Sequence, residues 1–304
     1  MTPVVYIIYS VDKDVFCLYD AFRLDENNQF GRANVKHVEI TKTALDEAIT
    51  KIVLDDDNLI YLFSLNPLFP LTGDKKALLL NRFLPERRPT DVLTYVTSTL
   101  VSNHNFYSFL AEAVLAILMK DVFKYKLSAC VLRNTDTIID SHTGVDSCFY
   151  DSKNKKLIMG EAKFYKAINN GVRAIEADLT INDSIENKLN SFLRTASSNR
   201  KSKKIILHEA GVRNYRFLSF EDFLELDLIF AGFVMHENDN TMTGKELSQL
   251  CGFSSIDIEN NIAARYPNLA DLKYSLYMFH LPIESKEKLI SLIIEKAYLM
   301  KEGC

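Results

Sequence analysis

The sequence has 304 residues, 47% of them hydrophobic, and a formal net charge of −4, so it predicts a globular protein with a substantial core. The negative charge argues against a protein that coats nucleic acid indiscriminately, because such binding needs many basic side chains. Five scattered cysteines without a CxxC pair argue against a disulfide framework and favour a reducing, cytoplasmic location. No apolar run approaches the roughly 18 residues of a membrane span, so we expect no membrane association.

Residues 1–100 are predicted to form an N-terminal α+β region. VVYIIY and NLIYLFSL have the composition of short strands, and TALDEAITKIVL between them is typical of a helix. The Pro-rich segment NRFLPERRPTD then predicts a turn. This region carries no evident catalytic chemistry, so we expect it either to dock a partner or to complete the core.

A second region, residues 101–304, begins with a predicted buried helix. FYSFLAEAVLAILM, from Phe106 to Met119, is too long for a strand and apolar on nearly all sides. Its one charged residue is Glu112. A lone carboxylate in such a helix needs a partner, which makes Glu112 a candidate functional residue.

Two strands joined by a tight turn follow this helix. VDSCFYD and KLIMGEAKFY flank the polar SKNK, which predicts a β-hairpin. If the turn is centred between Lys153 and Asn154, Asp146 lies directly opposite Glu161. Because side chains alternate along a strand, Asp146, Glu161 and Lys163 then share one face of the hairpin.

The rest of the chain predicts a mixed α/β core, with a β-sheet flanked by helices. Residues 167–194 are helical in character with a break near Asn182, and KKIILHE, LIFAGFVMHE and YSLYMFHLPI have the composition of strands. The final segment, SKEKLISLIIEKAYLMK, predicts a helix capped by Ser285.

Directly opposed carboxylates indicate a metal site. Asp146 and Glu161 repel each other unless a cation or a proton lies between them. These carboxylates and the backbone carbonyl of Ala162 suit Mg²⁺, with Mn²⁺ as the alternative, because such hard ions prefer oxygen ligands. A metal-bound water can then attack a phosphodiester, while Lys163 orients that water or stabilises the developing charge. Glu112 is a candidate further ligand, or an acceptor for a metal-bound water.

A structural interpretation of the same residues stays open. An acidic residue two positions before a lysine occurs six times in this chain, so Glu161-Ala162-Lys163 has little meaning without its context. Glu161 and Lys163 could form a sheet-surface ion pair, and Glu112 could pair with Arg133 or Lys126.

Local basic clusters are the candidate DNA contacts, with a solvated loop as the alternative interpretation of each. They are Lys153, Lys155, Lys156, Arg194, Arg200, Lys201, Lys203 and Lys204.

The helix with Glu112, Asp146 within HTGVD, and GEAK at 160–163 followed by a helix together resemble the PD-(D/E)XK nucleases. Over about residues 104–300 the chain resembles the HamA family, effector subunits of the Hachiman antiphage system, and their AbpA relatives. NNGVRAIEADL and MFHLPIESKEKLI contribute to this resemblance. It implies a PD-(D/E)XK nuclease-like fold, with Asp146 and Glu161 as metal ligands and Lys163 as the catalytic lysine. Valine precedes Asp146, so the literal Pro-Asp of the motif is absent.

The function that follows as an expectation is a Mg²⁺-dependent deoxyribonuclease. The resemblance implies that it acts on DNA in antiphage defence beside a superfamily 2 helicase of the HamB type. The chain lacks a GxxxxGK[ST] loop, so an ATP-driven motor would have to come from a partner. The alternatives are a catalytically silent module that binds DNA or tethers the helicase, and a standalone DNA repair nuclease.

Overall fold

The strands of the protein form two sheets. The structure is a computed structural model. It describes residues 4–11, 23–30, 33–41, 45–63, 71–100, 104–121, 126–130, 147–151, 154, 156–180, 227–237 and 274–304. The N-terminal sheet has the order β1-β3-β2, and the main sheet has the order β4-β5-β6-β7-β8. The strands are β1 (Val4–Val11), β2 (Arg23–Phe30), β3 (Ala33–Thr41), β4 (Lys126–Cys130), β5 (Ser147–Asp151), β6 (Lys156–Tyr165), β7 (Asp227–Glu237) and β8 (Tyr274–Ile283).

The helices of the described residues lie between and after these strands. They are α1 (Leu45–Val53), α2 (Asp56–Leu62), α3 (Gly73–Leu80), α4 (Val92–Tyr95), α5 (His104–Asp121), α6 (Ile168–Thr180) and α7 (Lys286–Glu302). A 3₁₀ turn, Asn81–Phe83, follows α3, and a π-helical turn, Val96–Leu100, follows α4. Within the described part of the chain, no helix is long and apolar enough to cross a membrane.

The main sheet is mixed, as the sequence predicts. β4, β5 and β6 are antiparallel neighbours, whereas β6, β7 and β8 run parallel. Parallel strands are usually covered on both faces, so they tend to be apolar throughout rather than alternating. The run from Ile229 to Met235 in β7 fits this rule, because its hydrophobic side chains are buried whichever face they point to. The chain therefore has a mixed α/β fold.

Helices cover the two faces of the main sheet. A side chain placed at Gly160 of β6 would lie 2.9 Å from Leu115 Cδ2, so this face of the sheet packs against α5. On the other face, a side chain placed at Gly171 of α6 would overlap the side chain of Val234 in β7. Val234 is the register partner of Lys163, which therefore also points to this second face. We call these the α5 face and the α6 face.

A large hydrophobic core of the described residues lies on the α5 face. It joins α5 and α7 to buried residues of β6 and β7, such as Ile158 and Phe233. Buried residues of α1, α2 and α3 belong to the same core. The helices between residues 45 and 100 therefore complete this core, whereas a role of residues 1–100 in partner docking stays a prediction.

One predicted strand is wrong. NLIYLFSL was expected to be extended, but residues 56–62 form α2. Asp55 caps this helix, since its side chain accepts hydrogen bonds from the backbone N–H groups of Asp57 (3.0 Å) and Asn58 (3.3 Å). The Asn58 side chain also donates to the Ile52 carbonyl at 2.9 Å. A short apolar run has no periodicity that separates a buried strand from a buried helix, so the capping aspartate decides the outcome.

Several other predicted elements are confirmed. β1 contains VVYIIY, α1 lies within TALDEAITKIVL, and α5 contains the predicted buried helix. Ser285 caps α7 and accepts a hydrogen bond from the Lys288 N–H at 3.3 Å. The predicted strand KKIILHE and the predicted helical segment beyond residue 180 lie outside the described residues.

Candidate active site

The hairpin has the register that the sequence predicts. Ser147 pairs with Gly160, and the pairing continues through Phe149 with Ile158 to Asp151 with Lys156. The Asn154 side chain in the turn donates to Asp151 Oδ2 at 2.6 Å, which links the turn to the end of β5. Asp146 is the residue directly before Ser147 and lies outside the described residues.

Glu161 and Lys163 lie side by side on the α6 face of β6. Lys163 Nζ is 3.5 Å from Glu161 Oε2. Glu161 is only 4% exposed, and β6 is held on one edge by β5 and on the other by β7. A charged group in such a position needs a compensating charge, and Lys163 supplies one. The structure therefore brings together two of the predicted catalytic residues.

Asp178 of α6 joins this pair, although the sequence analysis did not select it. Its Oδ2 atom is 2.6 Å from Lys163 Nζ. A signal for Asp178 was present in the sequence. Ile168, Val172 and Ile175 form the buried stripe of α6, and their alternating spacing of four and three residues continues to Leu179, so Asp178 is an acidic residue directly beside this stripe.

Close packing of α6 on the sheet sets the position of Asp178. Gly171 lies so near Val234 that any larger residue would overlap its side chain. Asp178 lies seven residues later, which is about two helical turns, and therefore on the same side of α6. The Asp178 carboxylate therefore belongs to a helix whose distance from the sheet is set by the contact of Gly171 with Val234.

Glu112 lies in the helix that covers the other face. It is buried, at 5% exposure, and Leu115 one turn later packs against Gly160 on the α5 face. Glu161 and Lys163 point to the α6 face, so β6 separates them from the main body of α5. The backbone of Ala162 lies in β6 between Glu161 and Lys163, and its side chain is buried in the α5-face core. A shared metal for Glu112, Asp146, Glu161 and Ala162 stays a prediction.

Lys286, in the first turn of α7, forms a hydrogen bond to the end of β6. Its Nζ atom donates at 2.9 Å to the backbone carbonyl of Phe164, the residue directly after Lys163. Its backbone N–H donates to Glu237 Oε1 at 3.1 Å, which links α7 to the end of β7. Burial lowers the pKa of Lys286 to about 8, against the opposing effect of the Glu237 charge. These bonds join the ends of two neighbouring parallel strands to one helix.

Comparison with known proteins shows to which family the chain belongs. A family model described as HamA matches residues 5–297. The chain belongs to the HamA family. Membership makes it a component of Hachiman antiphage defence. No curated protein and no solved structure matches the chain.

The oxygen donors of this HamA-family chain suit a hard divalent cation. The buried Glu161 carboxylate and the adjacent Ala162 backbone are of the type that Mg²⁺ prefers. Among the described residues, no group of three or more His, Cys, Asp or Glu side chains is arranged to hold a metal ion. Of the predicted ligand set, Glu112, Glu161 and Ala162 are described, and Asp146 lies outside the described residues.

Of the basic residues predicted to contact DNA in this HamA-family chain, one is described. Lys156 is partly exposed at the start of β6, in register with Asp151 and Asp227. The predicted contacts that lie outside the described residues are Lys153, Lys155, Arg194, Arg200, Lys201, Lys203 and Lys204.

Proposed function

We propose that this HamA-family protein is a Mg²⁺-dependent DNA nuclease with a PD-(D/E)XK-type centre. The observation that carries the proposal is the Glu161 and Lys163 ion pair, at 3.5 Å, on a β-hairpin in which Ser147 pairs with Gly160. One further step of this register would set Asp146 opposite Glu161, as the sequence predicts. Two carboxylates and a lysine on neighbouring strands are then available to a single phosphodiester.

The proposed chemistry divides among these residues. Asp146, Glu161 and the Ala162 carbonyl would hold Mg²⁺, with Glu112 as a further ligand or as an acceptor for a bound water. When bound, the cation supplies an activated water and neutralises charge on the attacked phosphate. Lys163 holds its ammonium group beside Glu161, where it stabilises negative charge that develops on the phosphate oxygens. Burial of Glu161 lowers the local dielectric and strengthens these interactions.

The proposed setting is the bacterial cytoplasm, beside a superfamily 2 helicase. The chain has no GxxxxGK[ST] loop, so a partner ATPase would supply any translocation along the DNA. The basic residues at 153–156 and 194–204 are the proposed DNA contacts, since lysine and arginine bind phosphates without regard to base sequence.

The test is cleavage of plasmid DNA with Mg²⁺ by the purified protein, alone and with its helicase. We expect Glu161→Gln and Lys163→Ala each to reduce cleavage about 100-fold or more. Lys76→Ala is a matched control, because Lys76 Nζ lies 2.6 Å from Asp56 Oδ1 and its side chain is 20% exposed, against 21% for Lys163. This control removes a comparable lysine ion pair far along the chain from the site and should cleave normally.

The outcomes separate the proposal from its alternatives. Absence of cleavage with and without the helicase would contradict the nuclease assignment and favour a module that binds DNA or tethers the helicase. Full cleavage without any ATPase would favour a standalone repair nuclease. Normal cleavage by both Glu161→Gln and Lys163→Ala would place the chemistry elsewhere.

A further inference from the structure

We propose that Asp178 is a positioning residue for Lys163, and this inference rests on the proposed nuclease function. Asp178 Oδ2 is 2.6 Å from Lys163 Nζ, whereas Glu161 Oε2 is 3.5 Å away. The shorter contact has the length of a strong, charge-assisted hydrogen bond, and the longer one exceeds the roughly 2.7–3.2 Å that is usual for N–H···O hydrogen bonds. The direction of the Lys163 side chain is therefore set mainly by Asp178.

Partial burial makes this contact stronger than an ordinary surface ion pair. The side chains of Lys163 and Asp178 are 21% and 24% exposed. Fully exposed pairs contribute little, because water screens them and because ordering two mobile side chains costs entropy. At this lower exposure water screens the electrostatic attraction less.

The helix that carries Asp178 is itself firmly placed. Val172 and Ile175 are buried under the sheet, and Gly171 allows α6 to approach Val234 closely. A group fixed on a packed helix holds its partner more accurately than a group on a loop. Asp178 can therefore hold the long, flexible Lys163 side chain in one direction.

The chemistry explains why a second carboxylate is needed. In the proposed mechanism Glu161 is a metal ligand, so its negative charge is largely shared with a divalent cation. That arrangement weakens the attraction of Glu161 for the Lys163 ammonium group. Asp178 is outside the proposed ligand set and retains its charge for Lys163. It keeps the ammonium group beside the reacting phosphate instead of letting it turn toward solvent.

The experiment compares Asp178→Ala and Asp178→Asn with the wild type. We expect kcat for plasmid cleavage to fall about 10-fold to 100-fold, because small errors in the placement of a catalytic group have effects of this size. KM for DNA and the Mn²⁺ dissociation constant, measured by electron paramagnetic resonance, should each stay within about twofold. Asp178→Glu should restore part of the activity. In the Lys163→Ala background, Asp178→Ala should cause little further loss, since it acts through the missing lysine.

A second readout does not depend on cleavage. Reductive methylation followed by peptide mass spectrometry measures how available the Lys163 amine is. We expect its labelling rate to rise severalfold in Asp178→Ala. Asp56→Ala is the matched control, because it removes a carboxylate whose oxygen is also 2.6 Å from a lysine Nζ. This control should raise labelling at Lys76 and leave both Lys163 labelling and cleavage unchanged.

Each outcome has a defined meaning. If the wild type cleaves and both Asp178 variants match Asp56→Ala in kcat, the positioning role is overturned while the nuclease assignment stands. A Mn²⁺ dissociation constant raised about 10-fold or more would make Asp178 a metal ligand, which also overturns the proposal. If Asp178→Ala unfolds, the nearly isosteric Asp178→Asn decides. If the wild type does not cleave, the nuclease assignment fails, and unchanged Lys163 labelling in Asp178→Asn would overturn the positioning role separately.

Discussion

The two faces of the main sheet differ in what they bury. The α5 face carries a continuous apolar core that extends from α1 through α5 to α7. The α6 face also buries hydrophobic residues, such as Met159 and Val234, but it carries the charged cluster of Glu161, Lys163 and Asp178. Because successive residues of β6 alternate between the faces, this one strand contributes side chains to the apolar core and to the charged cluster. One face mainly stabilises the protein, and the other carries the candidate chemistry.

Truncation of a core residue on the α5 face should have the largest effect on stability. Phe149 is fully buried in β5. We expect Phe149→Ala to lower the free energy of unfolding by about 3–5 kcal/mol, because it removes a large apolar side chain and leaves a cavity. Urea denaturation followed by circular dichroism measures this. Leu299→Ala, at a residue 61% exposed, should change stability by less than about 0.5 kcal/mol. Equal effects of the two variants would contradict the assignment of the core.

The contact between α6 and the sheet should be sensitive to one methyl group. In Gly171→Ala the new Cβ meets the Val234 side chain, so α6 must move outward. We expect unfolding to become easier by about 1–3 kcal/mol. We also expect slower cleavage, because Asp178 moves with the helix. Gly303→Ala is the control, since a Cβ there comes no closer than 3.7 Å to the atoms around it. If Gly171→Ala lost stability but cleaved normally, the distance between α6 and the sheet would not matter for the site.

A Glu112 variant tests whether a residue on the α5 face contributes to metal binding on the α6 face. If this buried carboxylate of α5 supports the metal, Glu112→Gln should weaken Mn²⁺ binding about 10-fold, the lower end of the effect seen for groups around a metal site. Electron paramagnetic resonance measures the binding, and the exposed Glu295→Gln on α7 is the control. Unchanged Mn²⁺ affinity would assign Glu112 to the α5 face alone and remove it from the proposed ligand set.

The smallest expected effect concerns a carboxylate far along the chain from the site. Burial, and next the charge of Glu284, raise the pKa of Asp46 in α1 from 3.8 to about 6. The folded state therefore binds this proton more tightly than the unfolded state. The stability that Asp46 contributes is complete below its unfolded pKa and is lost as the pH rises through about 6.

Asp46→Asn should remove this pH dependence. We expect the variant to be about 1 kcal/mol more stable than the wild type near pH 8, after allowance for solvent screening, and nearly equal to it near pH 4. Urea denaturation at both pH values measures the difference. A difference that grew toward low pH would contradict the direction of the shift.

The sequence predicted the parts that depend on local patterns. The hairpin register followed from the position of the polar turn and the period of two in a strand, and it placed Glu161 and Lys163 on one face. Ser285 was recognisable as a cap because its hydroxyl acts on a neighbouring N–H group. Asp178 was missed because its partner, Lys163, lies in another element, so the pairing depends on how α6 packs.

Other parts depend on the environment rather than on local pattern. β2, with the sequence RLDENNQF, is polar at most positions and carries no alternation that marks a strand. It is extended because it pairs with β3, a contact outside its own sequence. The strand predicted at NLIYLFSL failed for the opposite reason, since its apolar residues suit either structure and a local cap selected the helix.

The cluster of Glu161, Lys163 and Asp178 lies within one strand and the helix that follows it. These side chains leave the ribosome close together, and a strand followed by a helix can begin to form from short-range contacts. The close packing of α6, however, depends on Val234 in β7, which is synthesised later. An unfinished chain therefore lacks the support that fixes Asp178, so cotranslational folding would delay the complete arrangement until β7 has joined the sheet.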